Sequence, residues 1–217
     1  REIRRLGEEI HARYDRLDVL INNAGLISRR RQVTEDGLEM QLAVNHLAYF
    51  LLTHLLMDLL RASAPARIIN VASSGHSRGV IDFGNLQGER RYRAWQTYMN
   101  TKLANVLFTY ELARRLEGSG ITANCVGPGV TFSGLMRRYS RTLDLVWRLL
   151  HRFFKPPELS ADNPVYLATA PEMEAVTGRY FRYRKAIGTS ERSYDRDLQR
   201  RLWKVSADLT GVDPEGI

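Results

Sequence analysis

Three short apolar runs, separated by much longer helical stretches, constrain this chain more than any other feature of it. They are Asp18-Val-Leu-Ile-Asn-Asn-Ala-Gly25, Ala66-Arg-Ile-Ile-Asn-Val-Ala-Ser73 and Ile121-Thr-Ala-Asn-Cys-Val126. Each stops at a polar or glycine-rich turn, the last at Gly127-Pro128-Gly129. Runs of this length, apolar without alternation, suit strands buried on both faces of a sheet. The stretches around them carry helical spacing. Arg1 to Tyr14 places Ile3, Leu6 and Ile10 on one face, and a helix is expected from a Thr34 cap, with Glu35 and Asp36 behind it, to about Arg61. Another is expected from about Ala94 to Glu117, ended by Gly118-Ser119-Gly120, and a last one from about Tyr194 to Leu209. Gly178 to Arg182 reads as a shorter fourth strand, and the stretch holding Gly75, Gly79, Gly84 and Gly88 as loop. Strands alternating with helices predict an α/β fold, a doubly wound parallel sheet with helices on both faces. With 217 residues and 44% hydrophobic content, one core suffices, so residues 1–217 are expected to form a single domain.

Charge narrows the class of partner. The formal charge is +8, carried largely by arginines in short clusters such as Arg29-Arg30-Arg31 and Arg137-Arg138. These are scattered and no nucleic-acid-binding motif accompanies them, which favours a solvated surface over a nucleic-acid footprint. Cys125 is the only cysteine, so no intramolecular disulfide or thiolate metal cluster can form, and no metal is expected. Its apolar run favours a buried, inert thiol. The opening stretch is charged and helical, unlike a signal peptide, and the apolar run Leu47 to Leu60 is interrupted by Thr53, His54 and Asp58. A cytoplasmic protein is the expectation.

The chemistry lies at the ends of the apolar runs. Tyr98 and Lys102 are four residues apart on a helix and share a face. A neighbouring ammonium is expected to draw the phenol below its usual pKa near 10, towards the working range of a proton donor and acceptor. Ser74 ends a buried strand about two dozen residues earlier. Asn22-Asn23-Ala24-Gly25 ends the strand before and Pro128-Gly129 the strand after, so three strand ends face one crevice at the edge where open α/β sheets bind ligands.

From Leu17 to about Thr131 the chain resembles the catalytic half of the short-chain dehydrogenase/reductase family. Asp82-Phe-Gly-Asn-Leu-Gln-Gly-Glu89, Lys102-Leu-Ala-Asn-Val-Leu-Phe108 and Glu111-Leu-Ala-Arg-Arg-Leu116 are similar to its retinol-dehydrogenase-like branch. The resemblance implies a Rossmann-like fold and hydride transfer between NADP or NAD, NADP being favoured, and a small apolar alcohol or carbonyl. It implies Tyr98 as general acid/base, Lys102 as holder of the nicotinamide ribose, Ser74 as the hydroxyl on the substrate oxygen, and Asn45 as anchor of a relay water. Ser73 competes with Ser74 for that role. Cofactor contacts would come from Asn22, Asn23, Ala24, Gly25, Tyr98, Lys102, Pro128, Gly129, Val130 and Thr131, with Ser133 as alternative to Thr131. Gly127 departs from the branch, which more often has histidine there. His76 is expected to be structural or solvated.

Residues 132–157 correspond to the family's substrate lid. Leu143, Val146, Trp147, Leu150, Phe153 and Phe154 form one helical stripe flanked by arginines, which suits a lid or a subunit interface better than a membrane surface. A homo-oligomer is a further expectation of the resemblance. The glycine-rich turn that holds the pyrophosphate has no counterpart before Asp18, so the resemblance implies a chain truncated at its N-terminus. The alternative expectation is a shortened, non-catalytic relative that binds a partner through the open edge of its first strand.

Overall fold

The computed structural model describes residues 1–129 and 157–217. Strands β1 (Val19–Asn22), β2 (Ala66–Val71), β3 (Ile121–Val126) and β4 (Tyr180–Arg182) lie side by side in that order, all parallel. β5 (Lys185–Ile187) follows antiparallel to β4. Asn22, Asn70, Cys125 and Tyr180 stand opposite one another in a row across four strands.

Period-two alternation divides the core between the two faces of the sheet. Leu20, Ile68 and Ala123 point to one face, where Phe50, Phe108, Leu112 and Trp203 complete a cluster. Ile69, Val71 and Val126 point to the other and meet Leu167, Met173 and Phe181. The first face is covered by α5 (Ala94–Arg115), with α7 (Arg196–Thr210) packed against that helix, and the second by α6 (Pro157–Thr169). This is the doubly wound arrangement expected of the apolar runs, and β3, buried along its whole length, shows why they lack alternation.

Helix α1 (Glu2–His11) packs against α3 (Ala48–Leu55), and α4 (Met57–Ala62) leads into β2. The expected cap at Thr34 is corrected. Gly37 adopts a left-handed φ of 77° and the chain folds back, Val33 bridging Glu39 while Thr34 Oγ1 accepts from the Leu38 amide at 3.2 Å. The helical course starts instead at α2 (Met40–Leu42), capped by Glu39, whose carboxylate accepts from the amides of Gln41 and Leu42. It then widens into a π-helical turn, Ala43–Leu47, before α3. β5 was not expected, because its tight turn is made by Tyr183 and Arg184, both at positive φ without being glycine or asparagine. The last helix begins behind Asp195, which accepts from the amides of Asp197 and Leu198, while Tyr194 belongs to the preceding 3-10 turn. Among the described residues no helix is long and apolar enough to cross a membrane.

Candidate active site

Helix α5 carries a polar stripe, Tyr98, Lys102, Asn105 and Thr109, at helical spacing on a face turned towards the end of β2. Thirteen consecutive residues of this helix, Thr101 to Ala113, are buried, so each polar member needs a partner. Lys102 is 3% exposed. Its Nζ donates to the Val71 carbonyl at 3.0 Å and lies 5.7 Å from the ring centroids of both Tyr49 and Tyr98. Burial pushes the ammonium down to about 8, so it keeps most of its charge at neutral pH while its titration comes within reach of it.

Tyr98 itself is half-buried, and its burial pushes the phenol above the usual value. The Ser73 hydroxyl is the group that draws it back towards that value. One expectation is thereby corrected. Lys102 does not draw the phenol down in this geometry, because desolvation outweighs an ammonium set over the ring. Of the two candidate serines, Ser73 is the one that influences the phenol, whereas Ser74 is exposed, with its carbonyl accepting from Ser77 Oγ at 3.1 Å. The strand ends at Val71, and the extended backbone of Ser73 (φ −162°, ψ 155°) carries its hydroxyl to the amide of Gly75 at 3.2 Å, before the 3-10 turn Ser74–Arg78 swings the next residue outward.

Asn45 is fully buried in the π-helical turn, not exposed on a regular helix. Such a bulge often marks a functional position. Its Oδ1 accepts from the Leu26 amide at 2.8 Å, and its Nδ2 donates to the Leu26 carbonyl at 2.9 Å and to Thr101 Oγ1 at 3.1 Å. The side chain therefore splints the loop after β1. On that loop Gly25 leaves backbone bare beside the lysine: a Cβ there would stand 3.6 Å from Lys102 Nζ and 3.5 Å from Asn45 Oδ1.

Of the four residues ending β1, Asn23, Ala24 and Gly25 are exposed at the crevice. The Ala24 carbonyl is held by Tyr49 Oη at 2.7 Å. The Asn22 side chain is buried and turned inward, donating to Asn70 Oδ1 at 2.8 Å and Thr53 Oγ1 at 3.2 Å. Pro128 and Gly129 stand half-buried at the end of β3, Gly129 with φ 86°. Val130, Thr131, Ser133 and the lid stripe lie outside the described residues. At Gly127 a Cβ would come within 2.1 Å of Tyr180 Oη, so the tyrosine occupies the space that a larger residue would need. His76 is structural as expected, 5% exposed with Nδ1 donating to the Ser73 carbonyl at 2.7 Å. Cys125 is fully buried and its thiol is pushed up to about 12, as expected of an inert residue.

Sequence reading missed Asn105, Tyr49, Asn70 and Thr109. The signal was available in part: Asn105 and Thr109 continue the Tyr98–Lys102 spacing through an otherwise apolar helix, and Asn70 sits in an apolar strand. Asn70 Nδ2 donates to Thr109 Oγ1 at 3.0 Å, and Thr109 Oγ1 to the Asn105 carbonyl at 2.7 Å. A cavity of about 640 Å³ lies at the other end of the sheet, against Ile121 and Gly178. It is chemistry, not volume, that marks the site by Tyr98.

An open parallel sheet with tyrosine, lysine, serine and asparagine converging at the carboxyl ends of its strands defines a class of NAD(P)-dependent oxidoreductases. Residues 1–144 match the family described as short chain dehydrogenase, and the chain belongs to that family. Within it the chain is retinol-dehydrogenase-like. It is 43% identical to retinol dehydrogenase 12 of Mus musculus, over 99% of this chain and 68% of the relative. It is 44% identical to retinol dehydrogenase 13 of Homo sapiens, over 100% of this chain and 67% of the relative. Among solved structures, an uncharacterised protein from Mycobacterium paratuberculosis superposes with TM-score 0.77 at 30% identity, covering 97% of this chain and 72% of that one. The Pseudomonas aeruginosa RhlG/NADP complex superposes with TM-score 0.59 at 26% identity, covering 82% and 69%.

Proposed function

We propose that the protein interconverts an alcohol and a carbonyl on an apolar substrate of the retinol/retinaldehyde or long-chain aldehyde type, with NADP favoured over NAD. The observation that carries this reading is the meeting of Tyr98, Ser73 and Lys102 beside the bare backbone of Gly25. The residues fit the cofactor. Lys102 has Val71 as its one hydrogen-bond acceptor among the described residues, and its ammonium borders Gly25, where the absence of a side chain leaves room for a ribose. Asn23, Ala24 and Gly25 would border the adenosine side, and Pro128 and Gly129 the nicotinamide, continued by Val130 and Thr131. When bound, the nicotinamide dinucleotide supplies or accepts the hydride.

The chain supplies the proton and the polarisation. In reduction, the Ser73 hydroxyl donates to the substrate oxygen and Tyr98 delivers its proton to that same oxygen as negative charge develops there. A phenol raised by burial holds its proton at neutral pH until then, which favours the reductive direction. The nearby Lys102 ammonium stabilises the phenolate left behind, and its pKa of about 8 suits it to pass a proton back. Asn45 keeps the Gly25–Leu26 loop against this pair. Segment 132–157 is proposed as a lid over the apolar substrate, within one domain spanning residues 1–217. The names of the relatives support the substrate class, and the NADP complex of RhlG supports the coenzyme.

The test is retinaldehyde reduction followed by NADPH consumption. Tyr98→Phe is expected to lower kcat by about 10²–10⁴-fold, and near wild-type activity in that variant would overturn the mechanism. Ser73→Ala should lose about 10²-fold while Ser74→Ala stays close to wild type, and the reverse order would return the role to Ser74. The alternative, a non-catalytic binding partner, would be supported by a wild-type protein that binds neither NADPH nor NADH in a fluorescence titration.

A further inference from the structure

Behind the site runs a line of hydrogen bonds whose directions can all be assigned. Asn105 is fully buried, and its Nδ2 donates to the carbonyls of Asn45 at 2.8 Å and Val71 at 3.3 Å. Carbonyls only accept, so the amide nitrogen must face them and Oδ1 must face the other way. There it meets His46 Nδ1 at 3.2 Å, which must donate. A neutral imidazole with its proton on Nδ1 offers a lone pair at Nε2, and Ser206 Oγ on α7 lies 2.9 Å from it, placed to donate. His46 is 1% exposed and Ser206 likewise, so no solvent competes for these bonds.

The far end of this line touches three walls of the site. The Val71 carbonyl that receives Asn105 also receives Lys102 Nζ, and it ends the strand that leads to Ser73. The Asn45 carbonyl belongs to the π-helical turn whose side chain splints the loop at Gly25. One carboxamide thus ties the lysine, the serine strand and the cofactor-side loop together.

We propose that Asn105 is a positioning residue for the Tyr98–Lys102–Ser73 centre, held in its working orientation by His46 and Ser206, so that helix α7 braces the active site without touching it. The proposal rests on the oxidoreductase reading given above. Neither Asn105, His46 nor Ser206 contacts substrate, and the contribution is geometric: a small displacement of reacting groups costs rate steeply.

The experiment pairs kinetics with the tautomer of His46. Asn105→Leu keeps the volume and removes the bonds, and kcat is expected to fall on the order of 10- to 100-fold with the folded circular-dichroism spectrum kept. His46→Leu should fall with it, whereas His46→Gln, which can still donate to Asn105 and accept from Ser206, should keep at least half of the activity. A role in packing alone would leave leucine and glutamine alike. Nitrogen-15 NMR of wild-type protein, which needs no turnover, should show His46 as the Nδ1–H tautomer, with Asn105→Leu shifting it. The Nε2–H tautomer in wild type, or wild-type kcat in Asn105→Leu, would overturn the proposal. A wild-type protein inactive on alcohols and carbonyls but showing the expected tautomer would overturn the functional reading, and the positioning role with it, while leaving the hydrogen-bond line intact.

Discussion

Tyr180 fills the place that a side chain at position 127 would take, and it does so with almost complete burial at 1% exposure. The absence of a side chain at Gly127 is therefore a packing requirement of this interior, where close-packed neighbours cannot yield a methyl's width without cost. Gly127→Ala is expected to lower stability by about 1–3 kcal/mol, read as a lower urea midpoint; an unchanged midpoint would mean that Tyr180 moves freely. A comparable one-atom decision separates the two serines. Ser73 and Ser74 are adjacent and chemically identical, and the choice between them is made by where strand geometry stops and the 3-10 turn starts. No property of either residue encodes that boundary.

The helical course after β1 shows how one element can serve both stability and the site. Its start at Met40 follows from Glu39, whose carboxylate is fully buried and occupied by two amides that the helix leaves unpaired. The Glu39 amide is in turn tied to Gln87 Oε1 at 3.0 Å, linking the cap to the loop before α5. Glu39→Ala is expected to cost about 1–2 kcal/mol by urea denaturation, with Glu39→Gln, which retains an acceptor oxygen, losing less; equal losses would assign the effect to the charge. Directly behind this cap the backbone widens into the π-helical turn that sets Asn45 against Leu26. Thr34, Glu35 and Asp36 carry helix-start character by composition. The left-handed Gly37 overrides it by turning the chain back on itself.

At the scale of the whole molecule, buried polar groups are carried through the fold from β1 to α7: Asn22, Asn70, Thr109, Asn105, His46 and Ser206 each bond the next. Such a fully satisfied network specifies one packing of the core, and it leaves a titration signature. Burial pushes His46 down to about 4 from an ordinary 6.5, and its described neighbours, Asn105, Phe108 and Ser206, carry no charge to offset this. Between those values the unfolded chain takes up a proton that the folded one refuses, so this contribution is complete above pH 6.5 and is lost as pH falls through 4. The loss amounts to about 3 kcal/mol. Urea unfolding measured from pH 7 to pH 4 should show this decline in wild type and a shallower one in His46→Gln; parallel slopes would place the titration elsewhere. By itself, the sequence determined the four parallel strands, the helices around the first three of them and the Tyr98–Lys102 pair, because apolar runs, glycine turns and helical spacing are local properties of the chain. Tertiary structure alone decided that Ser73 caps the turn while Ser74 is exposed, that Asn22 turns inward, that burial dominates the phenol's proton affinity, and that α7 reaches the site through Asn105. Each of these depends on which groups from distant segments share the same few ångströms of water-excluded space.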